Sequence, residues 1–232
     1  MNTYVFFHVG EDCWQPQLLV RSINACDPSA EVIQVSDETT PSILGIARRH
    51  NLKADRYGLM SMRLDGFADL KLGYPAIYLD TDMILLRHCD AGQIIGDKKI
   101  VMCRRSFNKD SIFNHSFRGM NLSEYKDMRL DDVYPYLACA TVTQSSDIWE
   151  SLASILEGLD PKYRVWYGDQ EALKIFKKRS PLSCAAFLEN IYGCLPENLS
   201  EYPSARIAHF KGAARKIQMQ EFFQTRFPNL QH

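Results

Sequence analysis

The sequence predicts an α/β domain with a mostly parallel central sheet flanked by helices. Three observations carry that expectation. The first 37 residues run strand, helix, strand, which is a βαβ unit and implies a parallel pair with a right-handed crossover. Short apolar runs then keep alternating with segments of helical spacing. The 232 residues, 46% hydrophobic and 24% charged, suffice to bury one core without disulfides or a metal.

Taken in order, residues 3–9 (TYVFFHV) are aromatic and β-branched and stop at Gly10, as a buried first strand does. Residues 17–25 have helical spacing, with Pro16 where a first turn tolerates proline. A turn at 26–29 leads into a second strand, Glu31 to Val35, ending at Ser36-Asp37. Residues 55–72 predict a helix with Leu59, Met62, Phe67 and Leu70 at roughly helical spacing, although Gly58 and Gly66 count against it. Pro75 opens a third strand; residues 99–103 and 137–143 predict two more. Residues 104–130, polar and basic, read as a long connection rather than a core element. Asp147 to Leu156 and Gln170 to Lys178 predict helices, and Arg206-Ile207 a short strand. With no repeat, low-complexity tract or linker, one domain over 1–232 is expected.

A net charge of −1 argues against a general polyanion or nucleic-acid binder. The seven cysteines (13, 26, 89, 103, 139, 184 and 194) contain no CxxC pair and no compact His/Cys cluster, the pattern of reduced thiols in a cytosolic protein. The first residues read as a strand rather than a secretion signal, and no apolar run approaches the ~20 residues that span a bilayer. A soluble, cytoplasmic chain is expected.

The stretch Pro75-Ala76-Ile77-Tyr78-Leu79-Asp80-Thr81-Asp82-Met83 raises a physical question, because two carboxylates interrupt an apolar run. Charged groups leave water only when paired. If one strand continues through them, Asp80 and Asp82 share a face at its carboxyl end, where open α/β sheets place ligands. A hard divalent cation would relieve their repulsion and bridge the phosphates of a nucleotide. The plainer reading is a strand that ends early, with both aspartates solvated.

Two later segments bear on this. Asp169-Gln170 opens a helix, where Asp169 would cap it and Glu171 would add charge to the first turn. Residues 209–216 (HFKGAARK) offer His209 as an imidazole ligand, Gly212 for close backbone approach, and Lys211, Arg215 and Lys216 as charge for a diphosphate. Taken singly, the first is a helix cap and the second a basic surface turn.

Together, the βαβ start, an arginine in the helix before the aspartates, Tyr78-Leu79-Asp80-Thr81-Asp82, the later Asp-Gln and the His209–Arg215 segment resemble glycosyltransferase family 8 and its GT-A-fold relatives, over residues 3–216. The resemblance implies a Rossmann-like GT-A domain, with a nucleotide-binding part at about 1–103 and an acceptor part at about 104–232. It implies transfer of a sugar, with retention of configuration, from a nucleotide diphosphate donor, commonly UDP-linked, to a glycan, glycolipid or other acceptor. It implies Mn2+ (or Mg2+) held by Asp80, Asp82 and His209, and Arg63 near the donor phosphates. Asp169 and Gln170 then stand near the reacting carbon. His209 and Gly212 fit the family's HxxGxxK pattern, with Arg215 in the lysine's place. The carboxyl-end rule puts base and ribose near His8 to Trp14 and Asp37. One departure is plain: Ala138 and Ala140 occupy the Asn and Gly places of an FNxG-like segment.

That departure motivates a second reading, a sugar-nucleotide-binding protein that has lost transfer. A third is a phosphatase with its nucleophile in the DxD and Gly168-Asp169 as the later acidic motif. Against it, the DxD of such enzymes follows their first core strand, and Leu173 stands where a second Asp belongs. Residues 221–227 beside the basic cluster suggest peripheral membrane contact or, more simply, a final helix packed on the domain.

Overall fold

The computed structural model of the protein describes residues 1–52, 58–164 and 166–230. Its elements run β1 (Thr3–Phe7), α1 (Trp14–Cys26), β2 (Glu31–Asp37), β3 (Arg48–Leu52), α2 (Leu59–Asp69), β4 (Ala76–Leu79), β5 (Met83–Leu85), α3 (Ala91–Ile95), β6 (Ile100–Arg104) and α4 (Leu130–Val133). They continue with β7 (Tyr136–Thr143), α5 (Asp147–Glu157), α6 (Gly168–Arg179), β8 (Cys184–Leu188), α7 (Glu189–Tyr192), β9 (Ile207–His209) and α8 (Ala213–Arg226). Seven strands form one sheet in the order β3-β2-β1-β4-β7-β6-β8, and β5 pairs with β9 in a separate small sheet. Within the large sheet only β7 runs against its neighbours. The mostly parallel α/β architecture expected from the sequence is the one observed.

Alternation along the strands explains the two faces. Tyr78 of β4 points into a core with Phe67 of α2 and Trp149 of α5, ring centroids 4.6 to 4.8 Å apart. Its neighbours Ile77 and Leu79 point the other way, with Leu19 and Ile23 of α1. A third cluster, Leu18, Ile84, Phe210, Met219 and Phe223, seats α8 on the small sheet and α1. The aromatic residues near 221–227 belong to this packing, with Phe223 buried and Phe222 against Phe210 at 5.2 Å.

Several expectations shift. The helix expected over 55–72 is seen over Leu59–Asp69; residues 55–57 lie outside the described residues. Gly66 fits inside it because a Cβ there would meet Val35 and Leu52 side chains at 2.6 Å, so the glycine permits close helix–sheet packing. The 104–130 stretch is irregular, as expected, yet it supplies Phe113, Met120 and Leu122 to the core. The apolar run around the aspartates is not one strand: β4 stops at Leu79 and residues 80–82 turn into β5 of the other sheet.

Candidate metal centre

The sheet order reverses beside β1: β2 and β3 lie on one side of it and β4 on the other. The crevice at the carboxyl ends of β1 and β4 is therefore a topological switch point. Asp80 is the first residue past β4 and keeps its amide bonded to the Cys139 carbonyl of β7 at 2.8 Å. The chain turns at Asp80-Thr81-Asp82, so the two carboxylates converge through a turn rather than by sharing a strand face. Across the small sheet Met83 pairs with His209, and the Phe210 amide donates to the Asp82 carbonyl at 2.8 Å. Two backbone ladders thus fix three side chains whose ligand atoms lie within 4.8 Å of one another: Asp80, Asp82 and His209.

Basic side chains already stand beside these carboxylates. His209 Nε2 lies 3.4 Å from Asp82 Oδ1, and Lys216 Nζ, on α8, lies 3.1 Å from Asp82 Oδ2. Burial works to raise the Asp82 pKa, but His209 and Lys216 outweigh it and hold the carboxyl well below the usual range. Burial alone would lower the His209 pKa; Cys139 and Asp82 raise it to about 10. His209 Nδ1 is buried with no hydrogen-bond partner among the described residues. Two carboxylates and one imidazole suit a divalent ion such as Mn2+ or Mg2+. Without it, Lys216 supplies positive charge beside Asp82. The donor set fits the cation.

Arg63 of α2 organises the near side. Its guanidinium meets Asp80 Oδ1 at 2.7 Å and Asp169 Oδ2 at 3.1 Å, and donates to the Ala138 carbonyl at 2.8 Å. Asp169 is accordingly not the cap of α6, as its position suggested. That place belongs to Tyr167, at φ 58°, stacked on Tyr134 at 5.1 Å. Asp169 sits in the first turn with Oδ1 on the Gln170 amide at 2.7 Å, so both its oxygens are committed. Gln170 faces Arg105, whose Nη2 donates to its side-chain oxygen at 3.4 Å.

The basic residues divide unexpectedly. Lys211 is bound to Glu189 at 2.7 Å. Gly212, at φ 87°, caps the start of α8, a conformation that suits glycine. Arg215 turns away from the aspartates onto Glu197, with both carboxylate oxygens 3.0 Å from its Nε. Lys216, one residue on and about 100° around the helix, is the cation that reaches Asp82. His8 and Asp37 sit at the carboxyl ends of β1 and β2. His8 is half-buried, and burial lowers its pKa. Asp37 accepts from the amides of Thr39 and Thr40, which shapes the following loop. Trp14 opens α1, partly exposed. Sequence reasoning missed Glu189 and Arg105; the Arg104-Arg105 doublet closing a strand was the available signal.

Solved structures share this architecture. The galactosyltransferase LgtC, in complex with donor and acceptor sugar analogues, matches with TM-score 0.54 and 15% identity over 96% of this chain and 95% of its own. The glycosyltransferase GlyE in Streptococcus pneumoniae matches at 0.59 and 13%, over 99% of this chain and 63% of that one. A glycosyltransferase involved in glycosylation of the major capsid of PBCV-1 matches at 0.58 and 11%, over 94% and 98%. No family model and no curated relative matches the sequence. The chain has the GT-A-type fold of these glycosyltransferases. Among the described residues no helix is long and apolar enough to cross a membrane.

Proposed function

We propose that the protein is a metal-dependent glycosyltransferase that moves a sugar from a nucleotide diphosphate donor, UDP-linked, to a glycan or glycolipid acceptor met in the cytoplasm or at a membrane surface. The observation that carries this reading is the convergence of Asp80, Asp82 and His209 at the switch point of a GT-A-type sheet. These three residues would hold Mn2+ or Mg2+, which when bound supplies Lewis-acid stabilisation of a departing diphosphate. Lys216 would swing from Asp82 to the diphosphate as that charge develops, adding a second positive charge. His8 and Asp37 line the side where base and ribose would lie. Arg63 orients Asp80 and opposes the burial that pushes its pKa up, and Asp169 holds Arg63 in place. Gln170, whose side chain is less buried than that of Asp169, is left to face the sugar.

The test is a thermal-shift and calorimetric titration of UDP and UDP-sugars with and without Mn2+. Binding that requires the metal, and that Asp82→Ala abolishes, is the expected result. Metal-independent binding, or donor binding intact in Asp82→Ala, overturns the site. A second reading, donor binding without transfer, draws on Ala138 and Ala140 in β7, neither of which offers a side-chain donor. Turnover of a bound UDP-sugar, measured as released UDP, separates the two.

A further inference from the structure

β6 ends at Arg104 and Arg105 follows it, two consecutive arginines with different surroundings. Arg104 reaches Asp131 at 2.8 Å and is substantially exposed. Arg105 is 8% exposed, donating from Nε to the Tyr134 carbonyl at 2.9 Å and from Nη2 to Gln170 at 3.4 Å. Among the described residues no carboxylate is paired with it. The acidic groups that act on it electrostatically are Glu189 and Asp131. Glu189 is engaged through both oxygens and Asp131 through Oδ2 alone, its Oδ1 being buried without a hydrogen-bond partner among the described residues. Glu189, fully buried, accepts Lys211 on one oxygen, at 2.7 Å, and the amides of Ser106 and Phe107 on the other, at 2.7 and 2.8 Å. Asp131 holds Arg104. Three cations thus face two carboxylates, and the surplus charge is the deeply buried one.

A buried charge without a partner is costly, and a guanidinium does not escape the cost by losing its proton at neutral pH. Burial nonetheless pushes its pKa down. The place of this charge is informative. In the sheet order, the proposed nucleoside side is at β1 and β2, the metal centre follows at β4, and Arg105 comes beyond it, just past the carboxyl end of β6. Its neighbour Gln170 adjoins Asp169, which is linked through Arg63 to Asp80. The surplus cation therefore lies on the sugar side of the metal centre.

We propose that Arg105 binds an anionic group, a carboxylate or phosphate, carried by a sugar substrate of this site. The inference rests on the glycosyltransferase reading and deepens it: the enzyme handles an acidic sugar unit. The planar fork of arginine matches an oxyanion in two-point contact, which neutral hydroxyls do not reward equally. The acidic sugar is either the one transferred or the one that receives it.

Calorimetry with Mn2+ on wild type, Arg105→Gln and Arg105→Lys distinguishes these. Where the donor carries the acid, UDP-glucuronic acid binds wild type roughly 10- to 100-fold tighter than UDP-glucose, the range expected of a charge-assisted contact. Arg105→Gln loses that preference while its affinity for UDP stays the same. Where the acceptor carries it, the two UDP-sugars bind alike, and glucuronic acid or glucose 6-phosphate binds the UDP-loaded protein in preference to glucose, again only with Arg105. Arg105→Lys keeps the charge and retains part of the preference, which preserves the test if the glutamine variant does not fold. Equal binding of neutral and acidic sugars in both arms, or a preference that survives in Arg105→Gln, overturns the inference and leaves the metal site standing. Failure of UDP itself to bind with Mn2+ removes the glycosyltransferase reading and this inference with it.

Discussion

Arg63→Met is the sharpest probe of how the site is held together. The substitution keeps an unbranched chain but deletes a buried guanidinium that meets Asp80 at 2.7 Å, Asp169 at 3.1 Å and the Ala138 carbonyl at 2.8 Å. The two carboxylates suffer differently. Asp80 retains 32% side-chain exposure, so water takes over part of the lost contact, whereas Asp169 retains 8% and is left as an uncompensated buried charge. Breaking such a pair from one side costs about 3–5 kcal/mol. For a domain of this size each kcal/mol lowers Tm by roughly 2–4 °C, so a fall of about 6–20 °C is expected. Adding Asp169→Leu removes the stranded charge, and the double variant recovers a substantial part of the loss. Calorimetric unfolding of the single and double variants at neutral pH measures both. A single variant within about 2 °C of wild type, or a double variant whose losses simply add, refutes the claim that Asp169 and Arg63 act as one buried unit.

Lys216→Ala should raise the affinity for Mn2+ measured without nucleotide, because it removes the lysine that competes for Asp82, and should weaken UDP binding at saturating Mn2+. Arg215→Ala, lost from Glu197 rather than from the aspartates, should change neither; an equal effect of the two would sink the distinction. Gly168→Ala places a Cβ 2.2 Å from the Tyr163 carbonyl, a backbone atom that cannot rotate away. A loss of about 1–3 kcal/mol in urea unfolding is expected, together with weaker binding of UDP-sugars than of UDP as Gln170 is displaced. An unchanged midpoint would show that the helix start is not fixed there. Hydrogen bonds, from Thr40 first and then Thr39, hold the Asp37 pKa below its ordinary value. A depressed folded pKa contributes stability above the unfolded value and loses it as pH falls through the folded one. Asp37→Asn should therefore be less stable than wild type at pH 7, with the gap closing in acid; a gap independent of pH refutes the assignment.

Much of the sheet could be read from the chain because buried parallel strands are apolar in short blocks and the helices between them are not. β3 and β8 escaped that reading. Both are edge strands: β3 reads Arg-Arg-His-Asn-Leu, and β8 reads Cys-Ala-Ala-Phe-Leu, apolar but without the β-branched residues that mark a strand. Within the site, residue types were legible and their phases were not. The pattern spacing selected Arg215, yet one residue is about 100° on a helix, and that rotation delivers Lys216 to Asp82 and sends Arg215 to Glu197. Glu189 carried no local signal, since its partners are 22 or more residues away in sequence.

The aspartate pair shows how two carboxylates can converge through a geometry other than the one their spacing implies. Two carboxylates two residues apart would share a face of a continuous strand, but β4 must end where the chain leaves the large sheet for the small one. The turn at 80–82 does what the strand face would not. It leaves Asp80 tied to β7 through the Cys139 carbonyl and commits Asp82 to the ladder that carries His209. Each aspartate thereby answers to a different backbone network, and the third donor arrives from 127 residues downstream by strand pairing alone, 209 less 82. A metal bound there would link the two sheets, so Mn2+ should protect the amides of β5 and β9 from hydrogen exchange more than those of β2 or β3, which lie away from the junction. Protection spread evenly over the sheet would place the ion elsewhere.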